Sequence, residues 1–129
     1  MTKTILLIED NPQNRYLVQF LLEQRGHKIL QAETGLQGLE LAAIAQPDLI
    51  LLDIQLPGMD GHAVAYALKS DPQLKSIPIV AVTSYAMVGD REKCLAAGAE
   101  GYIEKPIDPE SFGDEVERFF LATPGDVAL

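Results

Sequence analysis

A few residues in this sequence combine a reactive type with a suggestive setting. Glu9 and Asp10 follow the apolar run TILLI. Asp53 ends the run LILL. Thr83 and Ser84 follow IPIVAV, and Lys105 stands before Pro106. Three carboxylates drawn into one place repel, because like charges a few ångströms apart disfavour joint ionisation. A hard divalent cation offsets that repulsion, and Mg2+ (or Mn2+) takes oxygen ligands, commonly one or two carboxylates with phosphate and water. A lysine supplies fixed positive charge and a hydroxyl supplies a hydrogen bond. Carboxylate, cation, lysine and hydroxyl together make a set suited to phosphoryl transfer, which needs positioning and neutralisation of the equatorial oxygens. Taken singly, each residue has an ordinary alternative. Asp53 is a turn former or helix cap, Glu9-Asp10 before Asn11-Pro12 caps a first helix, Thr83-Ser84 caps another, and Lys105 is a solvated lysine. Independent caps, however, have no reason to supply complementary charges at the ends of successive strands.

The elements that must position these residues are legible as an alternation. Short apolar runs read as strands at 4–9, 27–32, 48–53, 77–83 and 101–105. The first, third and fourth are nearly continuous in Ile, Leu and Val, as in strands covered on both faces of a parallel sheet. Helical spacing fills the gaps. Residues 12–25 set Leu17, Phe20, Leu21 and Gln24 along one side. Residues 35–45 do so with Leu36, Leu39 and Ala43, and residues 62–69 with Val64, Ala67 and Leu68. Phe112, Val116, Phe119 and Phe120 form a clear amphipathic stripe. Thr34 with Gln37 reads as a capping box, and Asp108-Pro109 as N-cap and first helical residue. Gly26 and Gly98 stand where helices should stop. Repeated strand–helix alternation predicts a doubly wound α/β domain with helices on both faces of one parallel sheet. In such sheets ligands bind beyond the carboxyl ends of the strands. Glu9-Asp10, Asp53, Thr83-Ser84 and Lys105-Pro106 are all strand ends in this reading.

Composition narrows the function classes. The length of 129 residues suits one domain, and 47% hydrophobic residues suffice for a core. The net charge of −9 and the absence of a Lys/Arg cluster argue against direct nucleic-acid binding. Cys94 is the single cysteine, so no internal disulfide forms. No apolar run approaches the roughly 20 residues of a membrane span, and the start is too short for a secretory leader. A cytoplasmic location without membrane insertion is the expectation. The domain is expected over 1–122, with 123–129 a short tail.

On these residues the sequence resembles the receiver domain of two-component response regulators over about residues 3–122. It is closest in kind to chemotaxis-regulator-like, stand-alone members of that family. The matching features are Glu9-Asp10, Asp53 followed by Leu56-Pro57-Gly58-Met59-Asp60-Gly61, Thr83, and Lys105-Pro106. Gly98-Ala99 with Gly101-Tyr102 matches the approach to the last strand. The resemblance implies a flavodoxin-like, five-stranded parallel sheet of order 2-1-3-4-5 with five helices. It implies that Asp53 accepts a phosphoryl group from a phosphohistidine. Asp10, Asp53 and the backbone carbonyl of Gln55 would ligate Mg2+, with Glu9 acting through water. Lys105 would pair with Asp53 and then with the phosphate, and the Thr83 hydroxyl would bond a phosphoryl oxygen. Tyr102 matches the switch aromatic, whose plain alternative is a half-buried strand residue. Lys105–Pro106 matches a cis peptide, and Gln55 and Tyr85 match positions that tune phosphate lifetime. The implied partners are a sensor histidine kinase or histidine phosphotransfer protein upstream and a separate target downstream. The target would read the face formed by the fourth helix, fifth strand and fifth helix. Monomer or weak dimer is expected, and the Met1 start with the short tail reads as a complete small protein.

Other readings stay in view. The protein could shuttle phosphate along a relay. A haloacid-dehalogenase-like phosphatase also uses a strand-end Asp with Mg2+, but wants a second Asp two residues on, where this chain has Gln55. A nucleotide-binding flavodoxin-like domain would need a glycine-rich phosphate loop after the first strand, where this chain has EDNPQN. A receiver kept only as a scaffold would have lost a site residue, and none is missing.

Overall fold

The computed structural model describes residues 2–56, 58–84 and 89–121. Five strands alternate with five helices: β1 (Thr4–Ile8), α1 (Pro12–Glu23), β2 (Lys28–Ala32), α2 (Gly35–Ala45), β3 (Leu49–Asp53), α3 (Gly61–Ser70), β4 (Ile79–Thr83), α4 (Asp90–Ala96), β5 (Gly101–Glu104) and α5 (Phe112–Leu121). All neighbouring strands pair in parallel, in the order β2-β1-β3-β4-β5. The flavodoxin-like topology implied by the sequence is the one found.

The strand side chains alternate between two cores, as a period of two requires. On one face Leu6, Ile8, Ile50, Leu52, Ile79 and Ala81 pack with residues of α2, α3 and α4. On the other Ile5, Leu7, Leu49, Leu51, Val80 and Val82 pack with Val18 and Leu22 of α1 and Phe112, Val116 and Phe120 of α5. The central strands β3 and β4 are buried along their whole length, which is why they read as unbroken apolar runs. Register then fixes the site. Asp53 stands beside Val82 and Thr83 beside Glu104, so each strand delivers its polar residue to the same edge.

Three helix readings are corrected. The buried face of α2 is Gly35, Gly38 and Ala42, whereas Leu36 is 64% exposed and Ala43 is exposed. A Cβ on Gly38 would collide with Ile8, so this helix lies against β1 through its small residues, a face that large-residue periodicity does not reveal. In α1 the buried positions are Val18 and Leu22, with Leu21 only partly covered and Phe20 and Gln24 exposed. Helix α5 begins at Phe112, not Pro109. Asp108 instead caps a preceding turn, accepting the Glu110 N–H on its side chain at 3.0 Å and the Ser111 and Phe112 N–H groups on its carbonyl. The Thr34 cap holds, its Oγ1 accepting from Gln37 N at 3.1 Å, while the Gln37 side chain reaches back to Glu33 N at 2.7 Å. Gly26 and Gly98 have φ of 91° and 110°, the left-handed backbone expected where helices stop. The strands end one residue earlier than read at β1 and β5.

At the end of the sheet away from the strand-end acids, charges clamp α5. His27 is buried. Its Nδ1 accepts from Lys3 N at 3.2 Å, so its Nε2–H donates to Glu117 Oε2 at 2.8 Å. The Arg25 guanidinium reaches Glu117 at 2.9 Å and Asp114 at 3.0 Å. The hydrogen bond from His27, with Arg25 beside it, holds the Glu117 carboxyl below the usual carboxylate range. A depressed folded-state pKa contributes stability above the unfolded value and loses it as pH falls through the folded one. Glu117→Gln is therefore expected to lower stability near pH 7 by about 1 kcal/mol, a figure discounted for partial exposure. The deficit against wild type should shrink below about pH 4, as read by denaturant titrations at several pH values.

Candidate functional site

The site is built from strand ends. Glu9 and Asp10 follow β1, Asp53 is the last residue of β3, Thr83 is the last of β4, and Lys105 follows β5. Glu9 and Asp53 are each 3% exposed and Thr83 2%, whereas Asp10 faces solvent. Carboxylate oxygens of Glu9, Asp10 and Asp53 all lie within 4.8 Å of one another, the one acidic or metal-ligating trio among the described residues to converge so closely. The Lys105 ammonium enters this cluster. Nζ donates to Glu9 Oε1 at 2.8 Å and lies 3.5 Å from Asp53 Oδ2. The sequence reading pairs Lys105 with Asp53; its shorter contact is to Glu9, and it bridges both acids.

Local backbone chemistry aims these groups. The Lys105 N–H donates to the Thr83 carbonyl at 2.8 Å, and Lys105–Pro106 is a cis peptide, as the resemblance implies. Asp53 Oδ1 accepts from the Gln55 N–H at 3.0 Å, an Asx-type turn that folds the chain over the carboxylate. Gly61 closes that turn, since a Cβ there would sit 2.8 Å from the Asp53 carbonyl oxygen. The first helix is capped by Asn11, whose Oδ1 accepts from Gln13 N and Asn14 N, so Glu9 and Asp10 are not spent as caps. Arg15 is a contributor the sequence reading missed. Its Nη1 donates to the Glu9 and Asp10 carbonyls, each at 2.9 Å, and its Nη2 pairs with Glu33 at 3.0 Å. It is one helical turn past the acids, which is the signal that would have found it.

Burial, a hydrogen bond with Asp53 and the Asp53 charge push the Glu9 carboxyl up to about 7, against the opposing pull of Lys105. Burial is the largest of these causes, and the Asp53 charge adds to it despite the Lys105 ammonium. The hard oxygen donors, the open side at Asp10 and this residual negative charge fit a divalent cation such as Mg2+.

Beside Asp53, Ser84 Oγ donates to Gln55 Oε1 at 2.8 Å, and the buried Gln55 Nε2 has no hydrogen-bond partner among the described residues. Thr83 lines a cavity of about 100 Å3 with Ile54, His62, Asp90 and Cys94. Burial, then the charges of Asp90 and Asp60, push the Cys94 thiol pKa up. Tyr102 is half-buried on β5 beside Ala81, where burial raises its phenol. Tyr85 and Pro57 lie outside the described residues, as does the 123–129 tail.

Comparison with known proteins follows the same lines. The response regulator receiver domain family matches residues 5–117. The polar-differentiation response regulator DivK of Brucella ovis is 42% identical over 119 residues, covering 92% of this chain and 97% of that protein. The receiver domain of sensor histidine kinase PA1611 from Pseudomonas aeruginosa, solved with a magnesium ion coordinated in its active site cleft, is 32% identical. It superposes with a TM-score of 0.82 over 95% of this chain and 97% of that one. The phosphorylated cyanobacterial phytochrome response regulator RcpA is 31% identical with a TM-score of 0.81, covering 96% and 97%. Among the described residues no helix is long and apolar enough to cross a membrane.

The raised Glu9 carboxyl gives a signed prediction. Below pH 4.5 it is protonated in both states. Between 4.5 and about 7 the folded state holds the extra proton, so stability falls as pH rises. In buffer stripped of divalent cations, Glu9→Gln is expected to lose this slope. Its stability relative to wild type should rise from pH 5 to pH 8 in denaturant titrations.

Proposed function

The chain belongs to the receiver domain family of response regulators, and from that membership we propose that Asp53 is the carboxylate that takes up the phosphoryl group. The protein is a phosphorylation-controlled signalling switch, not a metabolic enzyme. The observation that carries the assignment is Asp53 at the end of β3, within 4.8 Å of Glu9 and Asp10 and 3.5 Å from the Lys105 ammonium.

An Asp53 oxygen attacks the phosphorus of a phosphohistidine; the new P–O bond forms as the P–N bond breaks, and the imidazole leaves. Asp10, Asp53 and the Gln55 carbonyl would hold Mg2+ (or Mn2+), with Glu9 through water, and the ion would neutralise phosphoryl oxygens when bound. Lys105 holds its charge against the acids before transfer and against the phosphoryl group after it. The Thr83 hydroxyl, buried at the next strand end, donates to a phosphoryl oxygen. Gln55, whose amide nitrogen two residues from Asp53 has no partner among the described residues, tunes phosphate lifetime, and we assign Tyr85 the same role. A phosphatase of the haloacid dehalogenase kind lacks support, because Gln55 has no carboxyl proton to give the leaving group.

Phosphorylation adds charge and acceptor oxygens that favour one arrangement of the α4-β5-α5 face, with Tyr102 following Thr83. A sensor histidine kinase or histidine phosphotransfer protein would supply the phosphoryl group, and a separate target would read the face, in the cytoplasm. The receiver unit takes in residues 1–122 and acts as monomer or weak dimer.

With Mg2+ and a small-molecule phosphodonor, wild type should take up one phosphoryl group and Asp53→Asn none, read by intact mass. Thr83→Ala should still be labelled but lose the label-dependent shift of the Tyr102 resonances. Labelling that survives Asp53→Asn removes the assignment.

A further inference from the structure

We propose that Cys94 and His62 form a binding site for a soft divalent transition-metal ion, of the zinc class, in the cavity between β4, α3 and the start of α4. Its two ligands are distinct from the acidic trio, though the cavity shares Thr83 with that site, and the inference does not depend on Asp53 being the phosphoacceptor.

Cys94 Sγ and His62 Nε2 come from different helices and lie 3.6 Å apart. Zinc bonds thiolate at about 2.3 Å and imidazole at about 2.0–2.1 Å, so tetrahedral angles put the two ligand atoms roughly 3.5 Å apart. The observed pair already has that spacing. The imidazole is also oriented. Its Nδ1 lies 3.2 Å from Asp60 Oδ1, which accepts the His62 backbone N–H as well at 3.1 Å. With Nδ1–H donating to Asp60, the Nε2 lone pair is turned toward Cys94. A carboxylate on the far nitrogen of a histidine is the arrangement that fixes tautomer and raises basicity in metal sites.

The space is present too. Both residues line the cavity of about 100 Å3, together with Ile54, Thr83 and Asp90. Among the described residues no third His, Cys, Asp or Glu ligand atom converges on the pair as closely as in the acidic trio, so two protein ligands are preformed and water would complete the coordination. Ligand softness separates the sites. Three carboxylates suit Mg2+, while a sulfur and an imidazole nitrogen select zinc-like ions. On binding, the S–H bond breaks, a sulfur–metal bond forms and the proton leaves to solvent, with no change of oxidation state.

The test uses the reduced full chain in saturating Mg2+, with Co2+ as the optical stand-in for zinc. One equivalent should bind with a thiolate-to-cobalt charge-transfer band and tetrahedral d–d absorption, undiminished by excess Mg2+. Cys94→Ser should abolish the charge-transfer band. His62→Ala and Asp60→Asn should each weaken binding about tenfold or more. As a second readout, Zn2+ should raise the melting temperature of wild type and not of Cys94→Ser, which circular dichroism must show to be folded. No charge-transfer band, a band indifferent to His62→Ala, or cobalt displaced by Mg2+ would overturn the proposal.

Discussion

The Lys105 ammonium between the carboxylates of Glu9 and Asp53 is the interaction on which the site depends. The doubly wound sheet drives acids from β1 and β3 to one edge, and buried acids at that spacing are costly unless compensated. Lys105 arrives from β5, two strands away from β3, and reaches both at 2.8 and 3.5 Å. The compensation is incomplete, since Glu9 still sits near 7. That residual imbalance is what makes the edge receptive to a cation and what phosphorylation, which adds more charge, must act upon.

The same constraint explains the local devices. Asn11 caps α1 in place of the acids, and Arg15 donates to the carbonyls behind them instead of to their side chains. The Gln55 N–H turns Asp53 toward the edge, and Gly61 lets the following loop pass close behind it. The apolar strands make this rigid: Leu49 to Leu52 and Ile79 to Val82 are buried on both faces, so Asp53 and Thr83 hang from anchored stems. Far from the edge, the His27–Glu117–Arg25 clamp ties α5 to the starts of β1 and β2. Helix α5, part of the proposed output face, is therefore held both by these polar bonds and by the burial of Phe112, Val116 and Phe120, the last of which packs against His27.

The strands and the polar residues at their ends were legible in the sequence because buried parallel strands are continuous in Ile, Leu and Val and polar residues can begin only where burial ends, whereas the strand order came from the family resemblance. Less was legible where packing runs through small residues. Gly35, Gly38 and Ala42 bury α2, yet periodicity of large side chains pointed to Leu36. Helix α4, seven residues with Cys94 as its buried position, carries too little pattern to read. Asp108-Pro109 has the chemistry of a helix start but caps a turn, because α5 is placed by its aromatic stripe from Phe112 onward. The convergence of Glu9, Asp10, Asp53 and Lys105 at one edge was readable from the strand ends; the pairing of Lys105 with Glu9, the bracing by Arg15 and the meeting of His62 with Cys94 were not. The first and last depend on side chains converging across 96 and 32 positions of chain, which no local window contains, whereas Arg15 stands only six and five residues from Glu9 and Asp10.

The central claim is that these strand ends make Asp53, and no neighbouring acid or imidazole, the group that carries phosphate. Hydride reduction converts an aspartyl phosphate to homoserine and leaves a free carboxylate untouched. Applied to the Mg2+-phosphorylated full chain and followed by peptide sequencing, it should place homoserine at position 53 alone. Conversion at Asp10, or a phosphoryl group found on His62, would contradict the account.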